Sequence, residues 1–217
     1  MLRHEAGVGP GARVCDLAAG TGKLTRLLVA TGAQVVAVEP VAGMRAELVA
    51  ATPGVEAIDG VAEHIPLADA SVDTVTVAQA FHWFHFDDAL AEIKRVLRPG
   101  GHLAILFNQR DERAGWVKEW NEVIQWHQRR VAFYQRSDWR SLLTGAGLRD
   151  VRHHAIEWAQ SIDRDLLAAR VRSVSYIAQA PAAEQQQYVD RVIALVEGFD
   201  EPFDLPYVTH LWTATTA

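Results

Sequence analysis

Residues 14–22, Val-Cys-Asp-Leu-Ala-Ala-Gly-Thr-Gly, combine an acidic side chain with a glycine-bearing turn. The apolar residues before the turn predict a short buried strand, and the segment from Lys23 to Thr31 predicts a helix directly after it. Glycine allows the backbone N–H groups of such a turn to approach a ligand closely. We expect Asp16 to end the strand and to face the crevice above the turn. The segment is therefore a candidate ligand site.

A second acidic residue ends the next apolar run, Gln34 to Glu39. An acid at the tip of a second strand can accept hydrogen bonds from both hydroxyls of a ribose, so the two segments together predict a nucleoside-type cofactor site. A dinucleotide fits less well, because Thr25 occupies the third glycine position of G-x-G-x-x-G and the Asp16 charge would repel a pyrophosphate. A nicotinamide-linked oxidoreductase remains as an alternative.

A third candidate segment, Ala78-Gln-Ala-Phe-His-Trp-Phe84, follows a run of β-branched residues. Open α/β sheets bind ligands at the carboxyl ends of their strands, which is where this segment is expected. Aromatic faces attract a cation by about 1–2 kcal/mol where water is excluded, so Phe81, Trp83 and Phe84 could enclose a cationic group. The alternative is a hydrophobic plug beneath the next helix. His82 is a candidate general base.

The histidine spacing does not predict a metal site. His82 and His85 are three residues apart without a third ligand, and His153 and His154 point to opposite faces of their predicted strand. We therefore expect no metal.

Strands alternate with helices through the first half, which predicts a parallel sheet covered on both faces. After Glu39 the first half continues with a predicted helix at 41–51, strands at 55–59 and 71–80, a helix at 89–97 and a strand at 102–108. We expect Asp87 or Asp88 to cap the helix at 89–97. The second half is predicted to contain two helical stretches within 114–146, a strand at 149–159, a helix from Asp163 to about Tyr176, a helix at 182–197 and a closing strand at 206–214.

The stretch 116–140 is dense in aromatic and basic side chains: Trp116, Trp120, Trp126, Trp139, Arg129, Arg130, Arg136 and Arg140. Helical spacing of the first tryptophans favours an amphipathic helix that packs on the sheet edge. The alternative is a substrate lid, in which arginines beside aromatic rings hold a small carboxylate or a planar acid.

The whole-chain composition narrows the possible partners. The 217 residues have a net charge of −6, which gives no general attraction to nucleic acid or to anionic membranes. Cys15 is the single cysteine, so no disulfide within the chain is possible and a cytoplasmic location is expected. No apolar run reaches the length of a membrane span. We expect a small-molecule substrate and a monomer or homodimer.

The segment from Val14 to Gly22 resembles motif I of the class I S-adenosylmethionine-dependent methyltransferases, with Ala18 at the first glycine position. The segment Gln79 to Phe84 resembles the trans-aconitate methyltransferase-like branch of the methyltransferase type 11 domains. The resemblance implies an α/β fold with a Rossmann-like seven-stranded mixed sheet, the last strand antiparallel beside the fifth, helices on both faces and a helical lid after strand five.

The resemblance also implies a domain organisation and a reaction. One methyltransferase domain would span 1–217, with a cofactor half at about 12–108, a lid and substrate half at about 109–217, and N-terminal cap helices that are short or missing. S-adenosyl-L-methionine would donate a methyl group to a small molecule, for which a carboxylate is one candidate. A non-catalytic binding module with the same fold is the alternative.

The residues that the resemblance assigns to the site form two groups. His82 and Trp83 are the catalytic candidates. The cofactor-binding candidates are Asp16, Ala18, Gly20, Thr21, Gly22, Glu39, Pro40, Met44, Asp59, Ala62, Glu63, Ala78, Gln79, Ala80 and Trp83.

Overall fold

A computed structural model of the chain describes residues 1–126 and 138–217. The first half contains α1 Leu2–Glu5, β1 Arg13–Leu17, α2 Lys23–Val29, β2 Gln34–Val38, α3 Ala42–Ala51, β3 Glu56–Ile58, β4 Val72–Ala78, a 3-10 turn Phe81–Trp83, α4 Phe86–Val96 and β5 Leu97–Arg110. The second half contains α5 Gly115–Val123, α6 Trp139–Gly145, β6 Arg149–Ile162, α7 Arg164–Arg172, α8 Ser175–Ala178, α9 Ala182–Ala194 and β7 Phe203–Thr215.

The seven strands form one sheet in the order β3-β2-β1-β4-β5-β7-β6. The first five strands pair in parallel, and β1 lies between β2 and β4. Strand β7 runs antiparallel to β5, because Asp111 N–H donates to Pro206 O at one end and Thr216 N–H donates to Gly101 O at the other. This arrangement confirms the predicted seven-stranded mixed sheet.

Helix α4 has a different start from the predicted one. It begins at Phe86, and the residue before it, His85, takes the capping position. The prediction that Asp87 or Asp88 caps this helix is wrong, because both lie within its first turn and His85 makes no side-chain capping hydrogen bond. The carboxylate of Glu63 instead binds the backbone of His85 from outside the helix. Its Oε1 accepts the His85 backbone N–H at 2.8 Å.

One compact unit comprises residues 1–107, 138–155 and 210–217 of the described chain. It contains the parallel strands and every cofactor-site candidate. Strands β1 and β4 are buried along most of their length, as expected for central parallel strands covered on both faces. Ala6 and Val8, before β1, are also buried and pack in a cluster with Val14 and Leu28.

The other unit comprises 108–126 and 156–209 of the described chain. Its core contains Trp120, which is fully buried on α5 and stacked on Trp116 with ring centroids 6.1 Å apart. The Arg110 guanidinium lies 4.4 Å from the ring centroids of both Trp120 and Trp126. The part of this stretch on α5 therefore packs as an amphipathic helix, as the simpler interpretation predicted, and its buried residues join a cluster with residues of α7, α9 and β7.

The lid interpretation depends partly on Arg129, Arg130 and Arg136, which lie outside the described residues. Arg140 is described and donates to the Val151 carbonyl at 2.6 Å. Across residues 1–126 and 138–217, the helices are too short or too polar for any of them to span a bilayer.

Candidate cofactor site

The glycine turn after β1 is tightly packed on one side and open on another. Gly20 and Gly22 have φ angles of +58° and +78°, in the left-handed region that favours glycine. A Cβ on Gly22 would lie 2.9 Å from Cγ of Leu48 in α3, whereas a Cβ on Gly20 would have no atom within 4 Å. The open side at Gly20 is the space where a ligand could approach the backbone.

Glu39, directly after β2, is buried next to this turn. Its Oε2 accepts the Gly20 N–H at 2.9 Å, and its Oε1 accepts the Val41 N–H at 2.9 Å. Since each carboxylate oxygen can accept more than one hydrogen bond, both retain capacity for a ligand hydroxyl. The backbone carbonyl of Glu39 accepts a hydrogen bond from Arg45 Nη1 at 2.6 Å.

Asp16 requires a correction, because its carboxyl group lies inside the protein and does not face the crevice. The residue is 1% exposed, and its two oxygens accept hydrogen bonds from Thr25 Oγ1 at 2.6 Å and Thr76 Oγ1 at 3.0 Å. Residues 16 and 76 are opposite each other in the paired strands, which brings the hydroxyl into reach. Burial raises the pKa of Asp16 to about 6. The carboxyl group thus joins α2 to β4 beneath the glycine turn.

The loop after β3 carries three further candidates. Asp59 is exposed and forms an ion pair with Arg45 at 3.3 Å. Ala62 is buried, and Glu63 is half-buried with its carboxylate on the His85 N–H. Both acids therefore already have partners within the protein.

The aromatic turn after β4 divides into a buried part and an exposed part. Phe81 is fully buried, with its ring centroid 5.4 Å from that of Phe86 and 5.6 Å from that of Trp139. Trp83 is 71% exposed, and the half-buried His82 ring lies 4.8 Å from it. Phe81 is thus the hydrophobic plug, and Trp83 is available to a ligand.

Exposed apolar side chains follow the carboxyl ends of three parallel strands, β2, β3 and β4. Val41 and Met44 follow β2, Val61 follows β3 and Trp83 follows β4, and each is between 44% and 71% exposed. Large apolar side chains that face solvent at a strand edge are typical of ligand-binding surfaces. These four side chains suit the apolar faces of a nucleoside.

The remaining candidates are backbone neighbours of these groups. Gln79 has a φ of +59°, and its N–H donates to Leu106 O at 2.9 Å, which fixes the start of the aromatic turn. Ala18 also has a positive φ, +55°, at the first glycine position of the motif. The other candidates lie at the strand tips: Thr21, Ala78 and Ala80 are half-buried, and Pro40 is exposed.

Sequence reasoning missed both partners of Asp16, Thr25 and Thr76. Thr25 was considered only as a departure from a glycine fingerprint, although a hydroxyl on the first turn of a helix above an acid is a recognisable signal. Thr76 gave a similar signal, because it is a polar residue within an otherwise apolar central strand. Within the described residues, no three His, Cys, Asp or Glu side chains cluster in a way that could hold a metal ion.

Residues 15–105 match the model of a family described as methyltransferase domain. Over 220 aligned residues the chain is 42% identical to an uncharacterized methyltransferase of Mycobacterium tuberculosis, covering 94% of this chain and 84% of that relative. It is 45% identical over 101 residues to a malonyl-[acyl-carrier protein] O-methyltransferase of Methylococcus capsulatus, covering 44% of this chain and 37% of the relative.

A solved structure from Anabaena variabilis, described as a methyltransferase from an antibiotic biosynthesis pathway, has the same fold. Its TM-score is 0.70 at 24% identity, with 100% of this chain and 95% of that chain covered. Solved structures with this fold include complexes with S-adenosyl-L-methionine.

Proposed function

The chain belongs to the methyltransferase domain family of S-adenosylmethionine-dependent enzymes, and on that premise we propose that it methylates a carboxylate of a small molecule. Two parts of this assignment are proposals. One is the carboxylate acceptor, and the other is membership of the trans-aconitate methyltransferase-like branch, which the segment Gln79 to Phe84 suggests. When bound, S-adenosylmethionine supplies the methyl group as an electrophile on a cationic sulfur.

The observation that carries the cofactor assignment is the Glu39 carboxylate, fixed by two backbone N–H groups beside the open face of Gly20. In this role the remaining lone pairs of Glu39 accept hydrogen bonds from the ribose hydroxyls, and Gly20 leaves room for the ligand to reach the backbone. Val41 and Met44 contribute apolar contact beside the ribose and base.

Asp16 has an indirect role in this proposal. Because its carboxyl group is buried against Thr25 and Thr76, it supports the glycine turn from below. It is therefore a positioning residue, and the cofactor's ammonium group meets the backbone of the turn above it.

Trp83 is the proposed contact on the reacting side. Its exposed ring offers a cation–π surface to the sulfonium, and it excludes water from the transferring methyl group when the site is filled. Holding the acceptor oxygen in line with that methyl group supplies most of the rate in such a transfer.

A carboxylate acceptor is already a nucleophile, so no proton has to be removed before the transfer. His82 would then position the acceptor rather than act as a base. The relative from Methylococcus capsulatus supports an oxygen acceptor, since its name describes O-methylation of a malonyl group. An amine or phenol acceptor would instead require His82 as a general base.

The test is transfer of a radiolabelled methyl group from S-adenosylmethionine across matched panels of carboxylic acids, phenols and amines. We expect label in base-labile methyl esters, with a rate that stays flat between pH 6 and 8. Label confined to phenols or amines, with a rate that falls as a base is protonated, would overturn the acceptor proposal. Calorimetric binding of NAD in preference to S-adenosylhomocysteine would overturn the cofactor assignment.

A further inference from the structure

Arg95, in the last turn of α4, uses all five N–H groups of its guanidinium. Its acceptors, at 2.6–2.8 Å, are both carboxylate oxygens of Glu92, the carbonyls of Ile65 and Leu67, and Oδ1 of Asp69. Three of these acceptors belong to the loop after β3. A fully bonded guanidinium fixes the direction as well as the distance of the groups it joins.

Glu92 completes the connection from the same helix. Its Oε2 also accepts the Ile65 N–H at 2.8 Å, so both backbone groups of Ile65 are held by α4. Hydrogen bonds from Arg95 hold the pKa of the Glu92 carboxyl below its usual range, and those to Glu92 and Asp69 raise the pKa of Arg95. We call Arg95, Glu92 and loop 65–69 the clasp.

The same loop also reaches the opposite end of α4. Glu63 lies just before the clasp and accepts the His85 N–H, next to the first residue of the helix. The 3-10 turn Phe81–Trp83 ends only two residues earlier. Helix α4 is thus bonded to the loop after β3 at both ends, and only Phe84 and His85 separate the aromatic turn from the helix.

We propose that Arg95 is a positioning residue, which acts through the clasp to set the spacing between the loop after β3 and the turn Phe81–Trp83. This inference rests on the proposed function, in which Trp83 borders the sulfonium. It adds that the loop after β3, which carries the cofactor candidates Asp59, Ala62 and Glu63, borders the adenine. The affinity of a ligand that contacts both the loop and Trp83 depends on the spacing between them. The affinity of a ligand that contacts only the loop does not depend on that spacing.

The test compares the variants Arg95→Lys and Arg98→Lys by titration calorimetry with S-adenosylmethionine and with adenosine. Lysine keeps the charge but cannot span five acceptors. The control residue Arg98 forms an ion pair with Asp73 and lies outside the clasp. In Arg95→Lys we expect the dissociation constant of S-adenosylmethionine to rise about 5- to 20-fold and that of adenosine by less than about 2-fold.

Equal weakening of both ligands, or no weakening in a folded Arg95→Lys protein, would overturn the proposal. The control variant should bind both ligands as the unmodified protein does. If Arg95→Lys does not fold, Asp69→Ala removes only the most exposed acceptor and should give the same selective pattern with a smaller amplitude.

Hydrogen–deuterium exchange of the ligand-free protein separates this inference from the proposed function. Arg95→Lys should accelerate exchange in peptides covering 60–70 and also in those covering 80–86. Acceleration restricted to the first segment would show that the clasp does not reach the aromatic turn, and the inference would fail. If the unmodified protein binds neither S-adenosylmethionine nor its product, the proposed function fails while the exchange result still stands.

Discussion

Oε2 of Glu39 lies 2.9 Å from the backbone nitrogen of Gly20, so the acid after β2 and the glycine turn after β1 form one hydrogen-bonded unit. The other carboxylate oxygen holds the Val41 N–H at the start of α3. One side chain therefore fixes two loops at the same strand edge. A change at Glu39 should alter both the stability of these loops and the binding of a nucleoside.

Replacing Glu39 with glutamine should destabilise the protein and weaken cofactor binding together. Glutamine has one side-chain acceptor oxygen, so either the Gly20 or the Val41 N–H loses its partner, at about 1–3 kcal/mol in the free energy of unfolding. Urea denaturation measures this loss, and calorimetry with S-adenosylhomocysteine measures the binding. The exposed Glu47→Gln on α3 is the matched control and should change neither. Glu39→Gln binding with unchanged affinity would contradict the assigned role.

Replacing each glycine of the turn with alanine should distinguish an effect on packing, at Gly22, from an effect on ligand binding, at Gly20. Gly22→Ala should destabilise the fold by more than Gly20→Ala, because only its Cβ would meet Leu48 at 2.9 Å. Both variants should lose about 1–2 kcal/mol from the positive φ alone. Gly20→Ala should fold and yet bind S-adenosylhomocysteine at least about tenfold more weakly, since its methyl group would occupy the open face. Thermal unfolding and calorimetry on both variants provide the check.

The buried Asp16 carboxyl should make stability depend on pH. Its folded pKa, raised from 3.8 to about 6, means that the folded protein binds more protons than the unfolded chain between these values. The stabilisation by protonated Asp16 is therefore complete below about pH 3.8 and is lost as the pH rises through 6. Relative to Asp16→Asn, the unmodified protein should lose about 2 kcal/mol of unfolding free energy between pH 4.5 and 7.5.

Paired urea denaturation curves at pH 4.5, 5.5, 6.5 and 7.5 measure that difference. Other carboxyl groups titrate in both proteins and cancel. The exposed Val49→Ala, which changes no titratable group, serves as the control and should give a difference that does not vary with pH. A constant difference for Asp16→Asn as well would show that the carboxyl titrates at its ordinary value.

Trp83 should distinguish a cationic from a neutral ligand. Trp83→Leu keeps an apolar side chain but removes the ring face, and the residue is 71% exposed, so the free energy of unfolding should change by less than about 0.5 kcal/mol. Loss of the cation–π contact should weaken S-adenosylmethionine about 5- to 30-fold and S-adenosylhomocysteine, whose sulfur is neutral, much less. Equal weakening of the two ligands would indicate apolar contact alone.

The first five strands were predictable as elements along the chain because each is a short apolar run followed by a helix or turn signal. The closing strand was placed correctly only through the family resemblance, because no local pattern states which neighbour a strand takes. The start of α4 was missed for a similar reason. The residue before it, His85, is bound by Glu63 from more than 20 residues earlier, and the local acids Asp87 and Asp88 were the only visible capping candidates.

The site was predictable as far as backbone position determines it. Glu39 lies next to the glycine turn, as a strand-tip acid should. The direction of the Asp16 side chain was harder to predict, because it depends on Thr25 from a helix and Thr76 from another strand, each of which donates to one of its oxygens. The local sequence predicts an acid at the end of a strand, but the hydrogen-bond partners that hold its side chain inside the protein come from elsewhere in the chain.

The position of β7 between β5 and β6 has a consequence for biosynthesis. Strand β6 leaves the ribosome before β7, yet within residues 1–126 and 138–217 β7 is the one strand beside it in the sheet. The five parallel strands can assemble as they emerge, whereas β6 must wait with unpaired backbone groups, and β5 keeps an open edge. A nascent chain paused between residues 162 and 203 would therefore be the form most in need of a chaperone.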